Sequence, residues 1–205
     1  MGILRYDEPS LMRELDRIAM PLRVIFAAAV AERLLPAYLS FSHKAGRGNP
    51  YLLTQILERL WQDIQGIRMD PKELQQNIDL AMELIPGEDD IPWFLEQAGA
   101  EDAAAAIAYA LCCRQNGKSQ ESAWAARRGF ETLDYFVTTR DDIDPNDRVA
   151  DERALSDPLI QEELLRQQRD LRELMAADLR DVSTLAQKIR QRAKAEPISV
   201  FNNGS

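Results

Sequence analysis

Apolar residues recur at spacings of three and four along most of this 205-residue chain, and no segment sustains an apolar–polar alternation between hairpin turns. That rhythm decides the fold class. A period of 3.6 residues lines apolar side chains on one face of a helix, whereas a half-buried strand needs a period of two. Leu11, Leu15, Ile18, Leu22, Ile25 and Ala29 form one such face, and residues 50–65, 71–85, 101–115 and 119–138 carry others. The stretch 101–115 is apolar all round, which places it in the middle of a bundle.

Proline and glycine punctuate the pattern. Asn49-Pro50, Asp70-Pro71 and Asp157-Pro158 read as helix starts, because an Asx side chain accepts from orphan backbone amides and proline in the first turn has no amide to orphan. Gly46, Gly66, Gly87 and Gly117 stand where the periodicity stops, as left-handed C-terminal caps do. Pro21 predicts a kink or break near Ala19. Pro36 predicts another, leaving a short helix from about Ala37 to Lys44. A single long helix is predicted over 158–194, with Leu164, Leu171, Met175, Val182, Leu185 and Ile189 as its stripe. At 1.5 Å per residue it would span roughly 50 Å, so it either bends or packs on another subunit. Residues 139–156 are Asp-rich and read as a surface loop, and 197–205 as an extended apolar tail. The expectation is an all-α bundle of about seven helices with a long C-terminal helix, in one domain over 1–205.

Several functional classes are disfavoured. The one histidine and two adjacent cysteines, Cys112 and Cys113, offer no metal-ligand spacing, so no metal and no cofactor is expected. Gly117-Lys118-Ser119 resembles the end of a phosphate loop, but Cys112 occupies the position of the required upstream glycine, so a helix stop followed by a serine N-cap is expected. Asp142, Asp144 and Asn146 imitate the start of a calcium loop, yet Asp147 and Arg153 replace its glycine and glutamate. The net charge of −9 repels phosphate backbones, which argues against nucleic acid as a partner, and would steer basic partners inward. The longest apolar run, Ala103 to Cys113, is short of the roughly 20 residues of a membrane span, so no membrane is expected. With no signal-like N-terminal segment, the expected compartment is the cytoplasm.

Five residues remain as candidate binding groups. Glu32 and Arg33 follow the wholly apolar octet Val24–Ala31, so they emerge at depth and require partners. Tyr38 lies one to two turns further on. His43 suits the end of a helix, where a protonated ring meets the helix dipole, and Asp102 sits in the first turn of the Ala-rich helix. Glu88-Asp89-Asp90 with Trp93-Phe94 offers a further partner-docking patch or a loop anchored in the core.

The element Glu32-Arg33-x-x-Pro36-x-Tyr38-x-x-Phe41, continuing through Gly46-x-Gly48 to Leu57 and Trp61 and resuming at Asp102-Ala103, resembles the YjaG family of bacterial proteins, which carries domain of unknown function 416. The resemblance covers most of the chain. It implies an all-helical cytoplasmic protein of this size and brings no activity and no catalytic residues; Pro21 departs from the family pattern. Two readings follow. One is a non-enzymatic protein-interaction protein, with a homodimer built on residues 158–194. The other is a small-molecule binder or acid–base enzyme with an interhelical site near Glu32, Tyr38, His43 and Asp102.

Overall fold

A computed structural model of the chain describes residues 2–87, 95–144, 146, 147, 149–198 and 200. Among them are nine α-helices, one 3-10 turn and no strand. The helices are α1 (Glu8–Leu15), α2 (Met20–Ala45), α3 (Pro50–Ile64), α4 (Pro71–Glu83), α5 (Leu95–Asn116), α6 (Ser119–Arg140), α7 (Ala150–Leu155), α8 (Pro158–Met175) and α9 (Val182–Ala195). The acidic and aromatic patch at 88–94 lies outside the described residues.

The all-α class follows from the periodicity, and the three Asx-Pro starts are built as it requires. Asn49 Oδ1 accepts from the Leu52 amide at 3.0 Å, Asp70 Oδ1 from Lys72 and Glu73 at 2.8 and 2.9 Å, and Asp157 Oδ1 from Leu159 at 2.8 Å. Asp7, before Glu8-Pro9, starts α1 in the same way. Pro21 does mark a break: α1 ends at Leu15, and Pro21 sits in the first turn of α2.

Pro36 does not break its helix. α2 runs through it to Ala45 because the residues on both sides are packed from several directions, with Val24 to Ala31 all inaccessible to solvent. A proline inside a helix still costs backbone bonds, since it donates nothing to residue i−4 and its ring crowds the preceding turn. The C-terminal tail meets α2 beside this point, one residue beyond the Glu32 carbonyl that Pro36 leaves without a donor. The amide of Ile198 bonds to the Arg33 carbonyl at 2.8 Å, and Ile198 is itself buried.

α2 and α5 share the centre of the bundle and make its largest helix–helix contact. α3, α6, α8 and α9 surround α2, α4 and α6 flank α5, and α1 lies on α6. By length and composition α2 would suffice to cross a membrane, with a mean hydropathy of 1.5 over 18 residues, but 83% of that window is buried inside the bundle. Its apolar surface is therefore already covered by protein.

The 158–194 segment bends. α8 stops at Met175, residues 176–178 turn, and Leu179–Asp181 form the 3-10 turn that leads into α9. Asp178 caps that turn through the Arg180 amide. Met175, expected in the core stripe, is 43% exposed, and Leu174 is buried in its place. Three other local expectations are corrected. The 139–156 stretch contains α7; Lys118, not Ser119, occupies the N-cap of α6; and Gly87 lacks the positive φ that Gly46, Gly66 and Gly117 adopt.

Candidate functional site

Arg33 is 1% exposed and reaches from α2 into α8. Its Nε and Nη2 donate to the two oxygens of Glu163 at 3.0 and 2.9 Å, and Nη1 donates to Asp170 Oδ2 at 2.8 Å. Arg192 on α9 completes the set by donating to Asp170 Oδ1 at 2.7 Å. Glu163 and Asp170 are almost wholly inaccessible. Burial alone would weaken the guanidinium's hold on its proton, but the two carboxylates outweigh it and raise the Arg33 pKa. Gln167, one turn from Glu163, donates to Glu163 Oε1 and to the Ala126 carbonyl of α6, both at 3.0 Å. α6 comes this close because residue 129 is glycine. A Cβ there would lie 3.0 Å from Val30 Cγ1 and 3.2 Å from Glu163 Oε1.

Glu32 turns the other way. It accepts from Arg190 of α9 at 3.2 Å and faces Lys194 at 3.9 Å. Arg190 also pairs with Glu58 of α3 and lies over the Trp61 ring, 5.4 Å from its centroid. Burial pushes the Glu32 pKa up, and the Arg190 and Lys194 charges reverse only part of that shift. Glu32 and Arg33 are thus not paired with each other. They are adjacent anchors that fasten the α8–α9 hairpin to α2.

The other candidates lie elsewhere. The Tyr38 hydroxyl donates to the Leu84 carbonyl at 3.0 Å and accepts from the Asn49 amide at 3.4 Å, tying α2 to its connection with α3 and to the end of α4. Gly48 permits this approach: its φ is +84°, and a Cβ would stand 3.0 Å from the hydroxyl. His43 is exposed in the last turn of α2. Asp102 accepts from Thr132 Oγ1 at 2.7 Å and from Arg128 at 3.1 Å, joining α5 to α6. Burial lifts its pKa to about 6 against the pull of those donors. Phe41 packs edge-on to Tyr38 beneath the Arg47 guanidinium.

The structure brings Glu32 and Arg33 to the seam of α2 with α8 and α9, leaves Tyr38 and Asp102 at two other seams, and leaves His43 exposed at the end of α2. Five surface clefts among the described residues are lined by none of these five side chains. No group of three or more histidine, cysteine, aspartate and glutamate side chains among the described residues is placed to hold a metal. Burial raises the pKa of both thiols, Cys112 to about 11, and Cys113 accepts from Ser122 Oγ at 3.1 Å. Asp144 is used by its own loop, where its carboxylate accepts from the Asn146 amide.

Sequence reading missed Glu163, Gln167 and Asp170. Their signal was present: they fall at i, i+4 and i+7, next to the buried Ile160, Leu164, Leu171 and Leu174 of the same helix. It also missed Asp63, a 1%-exposed carboxylate that accepts from the Met69 amide and from Arg114. Burial raises its pKa, and these donors more than offset that, for a net lowering.

The fold and this seam define a class: an all-α bundle whose buried charges join helices to one another. Residues 10–201 match the family described as protein of unknown function (DUF416), and the chain belongs to that family. Among solved structures it is similar to the crystal structure of a DUF416 family protein from Shewanella baltica OS155. The two share 21% identity and superpose with a TM-score of 0.80 over 93% of this chain and 96% of that one, a likeness of fold. No curated protein matches the chain.

Proposed function

We propose that the protein is a non-enzymatic cytoplasmic interaction protein whose first partner is a second copy of itself, docked along α8. One observation carries this reading. Leu165 and Met175 are 37% and 43% exposed, and with Gln168 and Arg172 they form a stripe at spacings of three, four and three on the face of α8 that turns away from the core. Such spacing is the seam of a helix pair. Two antiparallel copies related by a two-fold axis midway between Gln168 and Arg172 set Leu165 of each beside Met175 of the other. Arg172, which already donates to Gln168 at 3.0 Å, then meets the second copy's Gln168.

Helix length does not itself call for a second copy, because the 158–194 segment bends and folds back on its own bundle. The non-enzymatic part is supported by the internal engagement of Glu32, Tyr38 and Asp102. The two thiols with raised pKa values suit a reducing compartment. Sedimentation velocity across the micromolar range tests the reading. Wild type is expected to sediment as a dimer, and the Leu165→Glu, Met175→Glu variant as a folded monomer. Wild type that sediments as a monomer throughout, or a variant that dimerises unchanged, would reject it.

A further inference from the structure

A cleft of about 400 Å³ opens where the start of α2, the end of α3, the last turn of α5 and the start of α9 meet. It combines a cationic wall with an apolar one. One wall is cationic: Arg68, Arg114 and Arg180 line it, against the single carboxylate of Asp63. Arg114 is fixed by Asp63. Arg180 is held at its other edge by Asp178, outside the cleft. Arg68 is exposed, and its charge adds to the field that lowers the Asp63 pKa.

The second surface is apolar: Met20, Val24, Ile64, Leu179 and Val182. Leu179 is 58% exposed, although it stands on a turn that brings it over this cleft. Ser183, in the first turn of α9, adds a hydroxyl, and that helix start has no side-chain cap. The volume is that of a small-ligand site, where an apolar lining and a few convergent charges are the usual composition.

We infer that this cleft binds a small organic anion, an apolar body ending in a carboxylate or phosphate. The head group lies between Arg68 and Arg180 with Arg114 behind it, and the body lies on Leu179, Val182 and Met20. Guanidinium forks match both head groups, since each presents coplanar or near-coplanar oxygens to paired N–H donors. The inference stands independently of the dimer, whose stripe on α8 ends at Met175.

Isothermal titration calorimetry on the full chain tests it, with octyl phosphate, octanoate and inorganic phosphate as probes. Saturable one-to-one binding of octyl phosphate or octanoate is expected, with the tighter of the two identifying the head group and inorganic phosphate at least about tenfold weaker. Arg68→Ala combined with Arg180→Ala should weaken the octyl probe about tenfold or more at an unchanged thermal midpoint, because both side chains are exposed. Leu179→Asp should weaken it by a similar factor. Absence of saturable binding by both octyl probes would overturn the inference. So would an affinity unmoved in these variants, or inorganic phosphate binding as tightly as octyl phosphate.

Discussion

Replacing Arg33 with methionine keeps most of the side chain's length and removes its charge from between Glu163 and Asp170. The two carboxylates are not equally exposed to the loss. Asp170 keeps Arg192 at 2.7 Å. Glu163 keeps Gln167 at 3.0 Å, but its nearest remaining cation is Arg166 at 3.9 Å, and the side chain is wholly inaccessible. The cost is therefore that of one buried carboxylate left without its counter-charge, about 3–5 kcal/mol. Against a total stability of about 5–15 kcal/mol this is about a fifth or more, and it corresponds to a fall of about 6–20 °C in Tm for a chain of this size. Urea denaturation at neutral pH measures it without screening the charges. Acidification lets the orphaned carboxylate take a proton, so the gap to wild type should narrow toward pH 5. A loss under about 1 kcal/mol at neutral pH, or a gap independent of pH, would refute the reasoning.

Further predictions concern the other seams. Asp102, with its pKa raised to about 6, binds its proton more tightly folded than unfolded, so its contribution to stability falls as pH rises from about 4 to 6. Asp102→Asn should remove that slope, on the order of 2 kcal/mol across the window, without lowering stability at pH 7; an unchanged slope in urea titrations would count against it. Gly129→Ala should destabilise by about 1–3 kcal/mol, although alanine is normally the better helix former, because the added methyl meets Val30 and Glu163; a rise in Tm would contradict the close approach. Truncation after Pro197 removes the amide that bonds to the Arg33 carbonyl and the buried Ile198 side chain. Hydrogen exchange should speed up in α2 around Pro36, and unaltered protection there would show the tail to be dispensable.

What was legible in the sequence was local. An Asx-Pro start needs only the next three residues, and all three appear where the sequence puts them. The depth of Glu32 and Arg33 was also legible, because eight apolar residues precede them. Their partners were not. Glu163, Asp170 and Arg190 lie 130 to 158 residues away, and no spacing rule carries that far. Pro36 misled because its rule describes an isolated helix, whereas here packing on both sides holds the helix through it. The turn between α8 and α9 was hidden by coincidence: Leu171, Val182, Leu185 and Ile189 stay nearly in phase across residues 176–181, so two helices read as one. Gly129 gave no signal, since its reason is a side chain in another helix.

Native mass spectrometry of the full chain, purified gently from its own host, tests the central functional claim most directly. An assembly of twice the 23.3 kDa chain is expected, with no metal or redox cofactor and at most a small organic anion retained. A single chain at micromolar concentration, or one carrying a tightly held metal or redox cofactor, would contradict it.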